Sequence, residues 1–104
     1  MNCRYFACPA CWVYIDAGYR WAYWLLEDTG IVTMNGAVDV RAVMNHEEYW
    51  NPPADSQSTW LRDRVLPAVR AFIEQHENHG MVYTEEDVIA CEDALYYNWK
   101  QLET

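Results

Sequence analysis

An α+β domain, with a small antiparallel β-meander near the N-terminus packed against two to four helices toward the C-terminus, is the fold class this 104-residue chain predicts. Three observations lead there. The stretch "WVYIDAGYRWAYWLL" is dense in aromatic and branched residues, which favour strands. Asn35-Gly36 is the strongest hairpin dipeptide in the chain. From Ser58 onward the apolar residues recur at helical spacing. The length suits a single core, so residues 1–104 are expected to form one compact domain, and the 52% apolar content is too high for a disordered chain.

Residues 12–26 are read as a hairpin turning at Ala17-Gly18, with a continuous helix as the alternative period. A loop symmetric about that turn sets Tyr14 opposite Trp21 and Trp12 opposite Tyr23, an aromatic ladder on one face. After the turn-forming "EDTG", "IVTM" reads as a strand entering the Asn35-Gly36 turn. "DVRAVMNHEEYW" then reads as a helix capped by Asp39 and ended before Pro52-Pro53.

In "STWLRDRVLPAVRAFIEQHENHG", Leu61, Val65, Ala68, Val69, Phe72, Ile73 and His76 share a helical stripe that stops at Gly80. Pro67 removes a backbone donor inside it, which predicts a kink or two helices meeting near Leu66. "MVY" reads as a short strand, and Thr84 with Asp87 resembles a capping box opening a last helix over 85–102. On that helix Val88, Cys91, Leu95, Trp99 and Leu102 form the apolar stripe, while Glu85 with Glu92 and Glu86 with Asp93 recur every seven residues, with Tyr96 between the two rows.

The net charge of −9 repels phosphate backbones and anionic membranes, so direct nucleic-acid binding and membrane association are not expected. The acidity is uneven. Residues 1–70 hold eight acids and six arginines, whereas residues 71–104 hold eight acids and Lys100 alone. With no secretory signal or apolar span in the sequence, the expected compartment is the cytoplasm, where thiols stay reduced. Four cysteines then point to metal, catalysis or burial before disulfides.

Cys8-Pro9-Ala10-Cys11 has the spacing of a zinc knuckle, with Cys3 as a third ligand and the fourth to come from Cys91, His46, or the pair His76 and His79. The alternative for these thiols is burial as small apolar side chains. The motif also suits a thiol–disulfide couple, but no βαβ unit surrounds it. Ser56 or Ser58 with His46 lacks a nucleophile elbow, no glycine-rich phosphate loop is present, and Glu85, Glu86 and Asp87 lack the spacing of a calcium loop. An enzyme is therefore not expected.

What remains is binding. The first expectation is a small acidic inhibitor or adaptor without a cofactor, whose Glu74, Glu77, Glu85, Glu86, Glu92, Asp93 and Tyr96 occupy a basic, possibly nucleic-acid-binding site on a protein partner. The competing interface is the aromatic face of Trp12, Trp21 and Tyr23, which also suits a homodimer. In size, charge and missing catalytic motif such a chain is similar to compact phage counter-defence proteins, anti-CRISPR proteins among them, and to toxin-neutralising proteins; this likeness of composition carries over no residue roles. The second expectation is a zinc-stabilised structural or interaction module built on Cys3, Cys8 and Cys11, and the third a thiol–disulfide oxidoreductase.

Overall fold

A computed structural model describes residues 3–18, 20–52, 59–85 and 100–101. The fold is α+β. Strands β1 (Arg4–Cys8) and β2 (Val13–Asp16) form an antiparallel hairpin, with Tyr5 opposite Asp16 and Cys8 opposite Val13. Helix α1 (Arg20–Asp28) follows, then β3 (Gly36–Ala37), α2 (Val40–Met44), α3 (Glu47–Trp50), one turn of π-helix at Leu61–Val65, α4 (Leu66–His76), β4 (Val82–Glu85) and β5 (Lys100–Gln101). The sheet runs β3-β4-β1-β2-β5, antiparallel except where β5 joins β2. Its strands come from both ends of the chain rather than from one N-terminal meander.

β1 lies between β2 and β4, and strand alternation sends its side chains to two separate clusters. Phe6 and Cys8 enter the main core with Ile15, Leu26, Val43, Tyr49, Val69, Phe72, Ile73 and Tyr83, between sheet and helices. Tyr5 and Ala7 face the other way, with Cys3, Tyr14 and Val82 packed beside them. Among the described residues no helix is long and apolar enough to cross a membrane.

The expected hairpin over 12–26 is half right. β2 ends at Asp16, and the chain then turns into α1 instead of a second strand. Gly18, at φ +131, donates its N–H to Asp16 Oδ1 at 2.9 Å, so the Asp side chain closes the turn. Beyond it Ala22, Leu25 and Leu26 are buried while Trp24 is exposed, an i, i+3, i+4 stripe that outweighs the strand preference of the aromatics. The ladder of Tyr14 with Trp21 and Trp12 with Tyr23 is accordingly absent; Tyr14 meets Tyr5 edge-on, ring centroids 5.1 Å apart.

Ile31 to Met34 is likewise not a strand. Asn35 takes φ +61, its N–H donates to Tyr83 O at 2.7 Å, and Gly36–Ala37 pairs with β4. Asp39 caps α2 as expected, accepting from the Ala42 N–H at 3.2 Å. The helix breaks at Asn45-His46, and His46 caps α3 through Nδ1, which accepts from the Tyr49 N–H at 3.4 Å.

The long helix is present and its irregularity falls at Pro67. The Leu66 N–H reaches back to Leu61 O, a π-type bond that widens the turn just ahead of the proline ring. Gly80 has the left-handed φ of +72 after the helix. The capping box is overturned: Thr84 and Glu85 belong to β4, and the Thr84 hydroxyl donates to Asn35 Oδ1 at 2.7 Å. At the far end of the expected helix, Lys100 and Gln101 form β5. Residues 86–99, with Glu86, Cys91, Glu92, Asp93 and Tyr96, lie outside the described residues.

Candidate metal centre

Two turns meet at one end of the hairpin. The first, residues 9–12, connects β1 to β2 and is closed by the Trp12 N–H donating to Cys8 O at 2.9 Å. Cys8 is the last residue of β1 and, lying on the Phe6 face, points into the main core with no exposed surface. Cys11 sits on the turn itself and is exposed. Trp12 takes φ +58, a left-handed conformation that costs a non-glycine residue about 1 kcal/mol or more, and carries its indole into solvent.

The second turn ends α4. His76, its last residue, is buried and donates Nδ1–H to Phe72 O at 2.7 Å. A carbonyl can only accept, so the proton sits on Nδ1 and the lone pair is left on Nε2, the ring nitrogen available to a metal. The ring is further fixed against Phe72, with centroids 4.3 Å apart. His79 follows in the turn, its N–H bonded to His76 O at 3.0 Å and its ring edge-on to His76 at 5.5 Å.

These turns bring Cys8, Cys11, His76 and His79 together, one ligand atom from each lying within 4.8 Å of all the others. His79 Nδ1 is 3.6 Å from Cys8 Sγ and 3.5 Å from Cys11 Sγ. A tetrahedral zinc with Zn–S of about 2.3 Å and Zn–N of about 2.0–2.1 Å requires a sulfur–nitrogen edge of roughly 3.5 Å. The two observed edges have that length before any movement. Two thiolates and two neutral imidazoles would also balance a divalent cation without leaving net charge, and the donor set is one that suits zinc.

The Cys11 thiol is pushed above its ordinary pKa, chiefly by its hydrogen bond with Cys8, then by desolvation and by repulsion from a Cys8 thiolate. The Cys11 thiol therefore resists ionising without a cation beside it. A divalent ion reverses that preference.

Cys3 does not join this group. It lies on the opposite face of β1 from Cys8 and at the other end of the strand, about 16 Å away at 3.3 Å per residue. Of the fourth-ligand candidates, His46 is engaged in capping α3, while the histidine pair supplies both remaining positions. The sequence offered His76 and His79 as a pair beside Cys3; the structure brings both histidines to Cys8 and Cys11, and Cys3 is not among them.

The expected acidic strip is dispersed where it is described. Glu74 pairs with Arg70 at 3.4 Å and Glu85 with Arg4 at 3.9 Å, while Glu77 lies exposed beside a shallow hollow lined by Val40, Arg41, Met44, Asn45 and Asn78. The expected aromatic face does not form either. Trp12 is exposed on the knuckle, Trp21 packs against the main core, and Tyr23 is buried beside Asp16 at the opposite end of β2.

No family model matches this chain, and neither a curated protein nor a solved structure matches it.

Proposed function

We propose that this chain is a zinc-stabilised interaction module in which Cys8, Cys11, His76 and His79 hold one structural Zn²⁺. The observation that carries the reading is the convergence of two short pairs, 68 positions apart between Cys11 and His79, onto one tetrahedron-sized group. Neither pair has a packing reason to place its exposed member there: Cys11 and His79 are both on the surface, yet both aim their ligand atoms inward at the buried Cys8 and His76. Four protein ligands complete the coordination of zinc, which makes the site structural. The module acts by binding, and its net charge of −9 supports a partner with a basic surface. The thiols of Cys8 and Cys11, which form no disulfide, suit a reducing compartment such as the cytoplasm.

Native mass spectrometry of protein produced with zinc in the medium is expected to show one ion of zinc per chain, lost on denaturation. Chelation should remove about 4 kcal/mol of stability where zinc stands a thousandfold above its Kd, a fall in Tm of roughly 20 °C for a domain of this size. A chain that carries no zinc, and whose Tm is unmoved by added zinc or chelator, would refute the reading.

A further inference from the structure

The two sulfurs of the cluster are unequal, and the inequality assigns them different chemistry. Cys8 has no exposed surface, while Cys11 stands on the knuckle turn in solvent. Both lie within reach of the same His79 nitrogen, at 3.6 and 3.5 Å, in a turn held closed by the Trp12 N–H to Cys8 O bond. A reagent entering from water therefore meets Cys11 first, and the nearest second thiol is Cys8.

Resting on the zinc reading above, we infer that Cys11 is a site of oxidation by hydroperoxides and Cys8 its resolving partner, so that oxidation expels the metal. The Cys11 thiolate attacks the peroxide oxygen: an S–O bond forms, the O–O bond breaks, and the departing hydroxide or alkoxide takes a proton. Cys8 sulfur then attacks Cys11 sulfur, forming the S–S bond and breaking the S–O bond, and a second hydroxide leaves and is protonated. Two thiolates have lost one electron each, the peroxide has gained two, and Zn²⁺, left with only His76 and His79, departs. The four-residue span from Cys8 to Cys11 permits the bridge, because the sulfurs already lie within 4.8 Å and close to bonding distance by side-chain rotation.

The test uses the zinc-loaded full chain and hydrogen peroxide, with zinc followed by a colorimetric chelator and thiols by alkylation and mass. One zinc should be released per peroxide consumed, two of the four thiols should disappear, and the peptide pair holding Cys8 and Cys11 should be lighter by about 2 Da. Dithiothreitol with zinc should restore the starting state. At substoichiometric peroxide a dimedone-type trap should label Cys11 and not Cys8 in the unmutated chain, which avoids dependence on a variant that fails to fold. Cys11→Ser should slow zinc release about tenfold, because the remaining sulfur is buried. Labelling of Cys8 first, oxidation of Cys3 with zinc retained, or wild-type release from Cys11→Ser each overturns the assignment while leaving the zinc site standing. A preparation without zinc defeats the metal reading instead; there the Cys8–Cys11 link and the order of trapping still decide the roles of the two thiols.

Discussion

The two ends of β2 are held by different physics. At the Asp16 end the buried side-chain polar atoms of the described residues are all answered by other protein atoms. Asp16 Oδ1 accepts from the Gly18 N–H at 2.9 Å and from the Tyr23 hydroxyl, that hydroxyl also reaches Gly18 O at 2.8 Å, and the buried Tyr49 hydroxyl donates to Ala17 O. Burial is the first cause raising the pKa of Tyr23, of Tyr49 and of Asp16 itself. At the Val13 end, sulfur and nitrogen face one another at 3.5–3.6 Å, two of the four groups are exposed, and the contacts are the weak ones a thiol makes. One end is complete with protein alone. The other is geometrically assembled from weak contacts and could hold an ion, so on the zinc reading proposed above the same strand combines a self-sufficient core with a metal-dependent tip.

Substituting the two histidines separately breaks this comparison most sharply. His76→Ala and His79→Ala should both lose zinc and the stability it adds, but in chelator they should diverge. His76→Ala empties a buried position packed on Phe72 and should cost a further 1–3 kcal/mol or so, whereas His79→Ala should lie within about 0.5 kcal/mol of the parent in urea unfolding. Equal losses in chelator would mean that His76 serves the metal alone.

A smaller effect is expected at the complete end. Tyr49→Phe leaves the Ala17 carbonyl buried without its donor, at a cost of about 1–3 kcal/mol, and should leave zinc affinity unchanged. A weakened zinc affinity in that variant would show the two ends to be coupled.

The smallest effect is a slope. Asp16 has a raised pKa in the folded chain, so the fold binds its proton more tightly than the unfolded chain does. Stability from this group is full below the unfolded carboxylate pKa and is lost as pH rises through the folded value. Compared in chelator by denaturant unfolding at a series of pH values, the parent should lose stability relative to Asp16→Asn as pH rises through the carboxylate range. An opposite slope would place the hydrogen bonds from Tyr23 and Gly18 above desolvation.

How much of this was legible follows from what each signal measures. The α+β class, the Asp39 cap and the long helix with its fault near Leu66 were readable because each rests on neighbours in sequence. Cys-x2-Cys was readable for the same reason. Which of the candidate partners meets it was not, since nothing local reports that the turn of His76 and His79 will be carried 68 positions to meet the knuckle. Cys3 was included on nearness in sequence, where strand alternation decides the matter: Cys3 and Cys8 differ by an odd number of positions and must face apart once residues 4–8 form a regular strand. In 20–28 the aromatic composition masked the spacing of Ala22, Leu25 and Leu26. Thr84 kept the hydroxyl that a helix cap would use, but spends it on Asn35 within the sheet.

The position of β1 also sets a timetable. It is a central strand whose neighbours are β2, with partners five to eleven positions later, and β4, which supplies Glu85 opposite Arg4. During synthesis the hairpin emerges early, but one edge of β1, its Tyr5 and Ala7 face and the thiols of Cys8 and Cys11 wait for almost the whole chain to follow. Pairings this distant in sequence slow folding and prolong exposure of an unpaired strand edge. In the nascent chain the knuckle cysteines are therefore two thiols without their histidines, and the four-residue group that the zinc reading requires exists only when the last turn of α4 and β4 have closed the sheet.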